Sequence, residues 1–172
     1  MCASADFKKR GESKIALDDY YRTNAKKEES HYDFCVRCGW KKYIDQMIAI
    51  DYLILNRDRH GANIEILRNA RARILRIAPL FDHGSSLLYS CISDEDVMKF
   101  DIMEDKRCQN FIGSYSCYEN LNFIKACGDV FDGKLKESDR SIIFEGLETI
   151  PLKLNDFKMF VQKNILDTTE SC

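Results

Sequence analysis

Proline and glycine are scarce, at two and eight of 172 residues, and the chain shows neither an internal repeat nor a low-complexity tract. With 45% hydrophobic and 11% aromatic residues, that scarcity points to a folded, helix-rich chain long enough to bury one real core. No long basic run occurs and the formal net charge is −2. Direct nucleic-acid binding and an anionic membrane surface are therefore not expected as the main partnerships. No apolar run approaches the ~18 residues of a membrane span. The opening stretch MCASADFKKRGESK lacks the apolar segment of a secretory signal, so the expectation is a cytoplasmic protein.

In that compartment the eight cysteines are expected as thiols rather than as a disulfide framework. Cys35 and Cys38 form a lone CxxC with His31 four residues earlier. A zinc site would want a second such pair, and Cys91, Cys108, Cys117, Cys127 and Cys172 have no such spacing. The pair reads as part of a helix with one face buried.

Residues 1–30 alternate charges densely, with Lys8-Lys9-Arg10, Asp18-Asp19, Lys26-Lys27 and Glu28-Glu29. They are expected as a solvated, poorly packed lead-in with at most one short helix. From residue 31 to 172 the chain is read as one lobe. Between Trp40 and Leu55, apolar and aromatic residues recur at three- and four-residue steps, which predicts a central core helix. It delivers the chain into Asn56-Arg57-Asp58-Arg59-His60-Gly61-Ala62-Asn63. The stretches 63–67 and 73–78 are rich in aliphatic residues and flank Arg68-Asn69-Ala70-Arg71, which predicts a β-hairpin. Pro79 turns the chain, Leu80 and Phe81 anchor it, and Asp82-His83-Gly84 follows. Ser93 with Asp96 marks a helix start for a segment through Lys99. Further helices are expected at 117–127, 139–149 and 156–166. The fold class expected is mainly α with a small β-hairpin, a lobe of α+β type.

The two polar clusters supply the parts that phosphoryl transfer needs. A divalent metal prefers hard oxygen ligands such as an Asp carboxylate or an Asn carbonyl. A further carboxylate accepts the proton of the attacking hydroxyl. Asp58 is followed five residues later by Asn63, and Asp82 stands just past the hairpin beside a glycine. A hairpin folds back on itself, so its two ends can meet at one metal.

The series Asn56-x-Asp58-x-His60-x-x-Asn63, followed by Ala78-Pro79-Leu80-Phe81-Asp82-x-Gly84-Ser85-Ser86, resembles the catalytic core of the HipA family of bacterial serine/threonine kinases. Its Asp-Arg-His-x-x-Asn portion is similar to that of phosphoinositide-kinase-type atypical kinases. The resemblance is strong from about residue 48 to 88. It implies a kinase-like C-terminal lobe, ATP and Mg²⁺ as cofactors, and transfer of phosphate to a protein serine or threonine. It implies Asp58 as catalytic base, Asn63 and Asp82 as magnesium ligands, and an antitoxin-type protein partner from a toxin–antitoxin pair. His60 is read either as a polarising catalytic residue or as a structural hydrogen-bonder of the loop, and His83 as a packing variant. Arg57 and Arg59 are read as phosphate contacts or as solvated arginines beside an acidic site. Asn56 is expected to cap the core helix or brace the loop.

A kinase of this kind also needs a glycine-rich loop over the phosphates and a strand lysine. Neither occurs in the 57 residues before Asp58, so the N-lobe is absent from this sequence. Three readings stay open. The chain is a catalytic-lobe fragment, or half of a split kinase whose partner brings the N-lobe, or a non-catalytic relic serving as an interaction module.

Overall fold

The computed structural model describes residues 7–126, and side chains as far as residue 124. These residues fall into two compact units, one built from 7–89 with 106–126 and the other from 90–105. The helices expected at 139–149 and 156–166 lie outside the described residues.

In the larger unit, strand β1 (Ser13–Ala16) leads directly into helix α1 (Leu17–Asn24). β1 pairs antiparallel with β3 (Glu65–Asn69), which pairs in turn with β4 (Ile74–Ile77). The register aligns Ile15, Ile66 and Ile77 across the three strands, an aliphatic row on one pleat face that the alternation of side chains dictates. On the other face Leu67 stands between Lys14 and Arg76. Arg76 is held there by Glu12 in a two-pronged pair at 2.8 and 3.0 Å.

The hairpin forms where the sequence places it, but it is two-thirds of a sheet rather than a free element. The expected α+β character is present in the larger unit, with a third strand, β1, added to the hairpin. The expectation of a solvated stretch over residues 1–30 fails for residues 13–24. Leu17 is fully buried, and Tyr20 and Tyr21 pack against Phe34. Periodicity missed this because a four-residue strand followed at once by an eight-residue helix offers too few apolar positions to register either period. Asp18 and Asp19 lie in the first turn of α1, where negative charge faces the positive end of the helix dipole.

Helix α2 (His31–Arg37) starts at Ser30, whose hydroxyl accepts from the Asp33 N–H at 3.1 Å. It ends at Gly39, whose φ of +79° lets the Trp40 N–H return to the Cys35 carbonyl. Cys35 is buried within this helix and burial pushes its thiol up to about 12. The CxxC is thus a packed helical pair, and no cluster of three or more His, Cys, Asp or Glu side chains suited to a metal occurs among the described residues.

Helix α3 (Lys41–Leu53) is the core element predicted from its period, burying Ile44, Met47, Ile48 and Tyr52. Each fully buried aliphatic side chain of this kind contributes roughly 1.5–3 kcal/mol. Two of its buried residues are acids, Asp45 and Asp51. Asp45 accepts from the Tyr32 hydroxyl at 2.8 Å and pairs with Lys41. Helix α5 (Cys117–Ala126) packs on α3, burying Leu121 and Ile124.

The smaller unit contains α4 (Asp94–Lys99) with the capping box predicted from Ser93 and Asp96. Among the described residues no helix is long and apolar enough to cross a membrane.

Candidate functional site

Past α3 the chain turns through Leu55 with a φ of +50°, an uncommon conformation for a branched side chain. The turn brings Asn56 back onto the helix it has just left. Its Nδ2 donates to Asp51 Oδ1 at 2.8 Å and its N–H to the Asp51 carbonyl at 2.7 Å. Its Oδ1 lies 3.4 Å from the Asp58 N–H. Asn56 therefore does both: its N–H closes the C-terminus of α3 and its side chain braces the loop.

Strand β2 is only Asp58–Arg59, and it pairs in parallel with β5 (Gln109–Asn110). The Gln109 N–H donates to the Arg57 carbonyl at 2.8 Å and the Phe111 N–H to the Arg59 carbonyl at 2.9 Å. A one-turn 3₁₀ helix, Gly61–Asn63, then leads into β3. Gly61 is required there by crowding. A Cβ on it would fall 2.1 Å from Asp18 Oδ1 and 2.7 Å from Phe111 Cδ2.

Arg59 is the hub of the region and is 0% exposed. Its Nε and Nη2 form a two-pronged pair with the Asp51 carboxylate, both at 2.9 Å. Its Nη1 donates to the Asn63 carbonyl at 3.2 Å and to the Phe81 carbonyl at 2.7 Å. Nη2 also lies 3.1 Å from His83 Nδ1. A guanidinium can only donate, so that ring nitrogen accepts and the His83 proton resides on Nε2. One buried cation therefore ties α3, the Asp58–Asn63 loop and the Phe81–His83 segment together. This overturns both readings of Arg59, as a phosphate contact and as a solvated surface residue. Arg57 is half-buried with its guanidinium 4.4 Å over the Tyr89 ring.

Among the sequence-predicted residues, Asn63 is buried and its Nδ2 donates to the Asp58 carbonyl at 3.0 Å. That bond uses one of the amide's two N–H groups, and Oδ1 has no hydrogen-bond partner among the described residues. The Asp58 carboxylate is about half open to solvent, and His60 Nε2 is 3.7 Å from its Oδ1, too far for a hydrogen bond. Asp82 is exposed, and its carboxylate has no hydrogen-bond or ion-pair partner among the described residues. Its φ is +57°, a strained region that Asp enters more readily than most residues and that surrounding structure must enforce. Arg59 supplies that enforcement by gripping both of its neighbours. The structure thus joins Asp58, His60 and Asn63 directly, and fastens the segment carrying Asp82 to the same guanidinium.

The oxygens left over, Asn63 Oδ1 and the Asp82 carboxylate, are of the hard type that Mg²⁺ takes, with the rest of its shell drawn from water or phosphate. Sequence reasoning missed Asp51 and misjudged Arg59. The available signal was an acid inside the apolar stripe of a core helix, which needs a buried cation; of the two arginines that follow the helix, it is the second, Arg59, that supplies it.

No protein-family model, curated protein or solved structure matches this chain.

Proposed function

We propose that residues 31–172 belong to a HipA-like kinase catalytic lobe that transfers phosphate from ATP to a serine or threonine hydroxyl. The observation that carries this reading is the Arg59 brace. It fastens a loop bearing Asp58 and Asn63 to a segment bearing Asp82, on opposite sides of a hairpin. The resemblance in the sequence orders these residues as base, metal ligand and metal ligand. The geometry supports that order through what each residue has free.

Asp58 keeps an open carboxylate on a backbone fixed by Asn56, Asn63 and β5, which suits a base that receives the proton of the acceptor hydroxyl. Asn63 and Asp82 would hold Mg²⁺, which when bound neutralises charge on the phosphates. His60 stands beside the base rather than bonded to it, so it serves to tune the local field and position the loop. The phosphate-covering loop and strand lysine would come from an N-lobe, in a longer chain or on a partner, and an antitoxin-type protein remains the partner class by resemblance.

A non-catalytic interaction module of the same fold is the second reading, favoured by the absence of that loop and lysine from this sequence. Titration calorimetry of the chain with ATP separates the two. Binding that requires Mg²⁺, is lost in Asp82→Ala and persists in Asp58→Asn supports the kinase reading. Binding indifferent to Mg²⁺ and to Asp82→Ala, or no binding, supports the module.

A further inference from the structure

Away from the Asp58 region, at the turn end of the hairpin, lies an open groove of about 560 Å³ between α1 and the β3–β4 turn. It sits some four residue pairs from the base of the hairpin, roughly 15 Å at the rise of a strand. Arg68 and Arg73 line it, and Arg71 stands in the same turn.

These three arginines differ from the other cations of the sheet. Arg76 is paired with Glu12 and Lys14 with Glu65. Arg68, Arg71 and Arg73 are all exposed and have no carboxylate partner among the described residues. Asp19 borders the groove, but it is engaged by Arg22 at 3.3 Å. Arg73 also has a φ of +54°. Glycine or asparagine occupies such a turn position with less strain, and among the described residues no hydrogen bond or ion pair of the arginine side chain offsets the difference.

Ile15 and Leu75, which share the pleat face of Arg68, give the groove an aliphatic side. The Tyr20 ring is already packed against Phe34 and Trp40. The groove therefore offers no free aromatic face of the kind on which single-stranded bases stack. It is also too open to enclose most of a small ligand's surface.

We propose that this groove docks an extended acidic segment of a partner protein, with an aliphatic side chain against Ile15 and Leu75 and carboxylates against Arg68 and Arg73. The proposal stands on the groove alone and does not depend on the kinase reading.

The test uses fluorescence anisotropy of the whole chain with a labelled peptide of roughly twelve residues, long enough to cross the groove at strand rise. The peptide is rich in Asp and Glu around a central leucine. Saturable, salt-sensitive binding is expected, weakened at least about tenfold in Arg68→Glu/Arg73→Glu. That variant alters two exposed side chains, and its circular dichroism should match the parent. It should in turn bind a lysine-rich peptide of the same design. Equal binding by parent and variant, no saturable binding of the acidic peptide, or tighter binding of a single-stranded oligonucleotide would each overturn the proposal.

Discussion

Arg59 and Asp51 form a two-pronged ion pair that is almost wholly withdrawn from water, with side-chain exposures of 0% and 5%. Two charges in such a place are tolerated only when geometry and additional hydrogen bonds satisfy both groups. Here they do. Asp51 also receives Asn56, and Arg59 also reaches two carbonyls and a histidine.

Removing one partner should strand the other. Arg59→Ala and Asp51→Ala are each expected to lower stability by ~3–5 kcal/mol, measured by urea unfolding. The paired replacement Asp51→Leu with Arg59→Met should recover much of that loss, since buried pairs exchanged for apolar residues are often neutral. It would still leave Asn63, Phe81 and His83 unbraced. Single variants within ~0.5 kcal/mol of the parent, the range of ordinary surface changes, would show that the pair holds little.

A methyl group at Gly61 tests the packing of the loop bearing Asp58. Its Cβ would lie 2.1 Å from the Asp18 carboxylate and 2.7 Å from the Phe111 ring. Gly61→Ala should therefore cost about 1–3 kcal/mol through overpacking. Part of that cost should return in Gly61→Ala/Asp18→Ala, which clears one of the two obstacles. Additive effects of the two changes in thermal unfolding would contradict direct contact between the two positions.

Acid sensitivity should be visible at Glu29. Hydrogen bonds from Arg37 hold its carboxyl down at about 2, against an ordinary value of 4.5. Folding therefore favours the ionised form. The stabilisation is complete above pH 4.5 and is lost as pH falls through that value towards 2. Denaturant titrations of Glu29→Gln across the same window should show a shallower fall in stability than the parent. Parallel curves would mean that the Arg37 pair contributes nothing that titrates.

Much of the larger unit was legible because its periods were long enough to read. Helix α3 showed through thirteen residues of repeating apolar spacing, and the hairpin through two aliphatic runs around a polar turn. Asp58, Asn63 and Asp82 were singled out by the resemblance to HipA-type kinases rather than by spacing alone. What could not be read was the brace that ties the segments bearing them to one guanidinium. Strand β1 is four residues long and its partner β3 begins about fifty residues later, so no local pattern announces their pairing. Arg59 looked like surface because arginine usually is. Only its meeting with Asp51 makes burial favourable, and that meeting belongs to tertiary structure.

The parallel pairing of Asp58–Arg59 with Gln109–Asn110 spans some fifty positions of sequence, and this has a kinetic consequence. The hairpin closes across a four-residue turn, whereas β2 waits for a stretch that must return from far along the chain. Closing so long a loop is entropically slow relative to closing a short one. The hairpin and α3 are thus placed to form early, and the backbone beneath Asp58 to lock last. A folding intermediate with an intact hairpin would still lack a fixed candidate base.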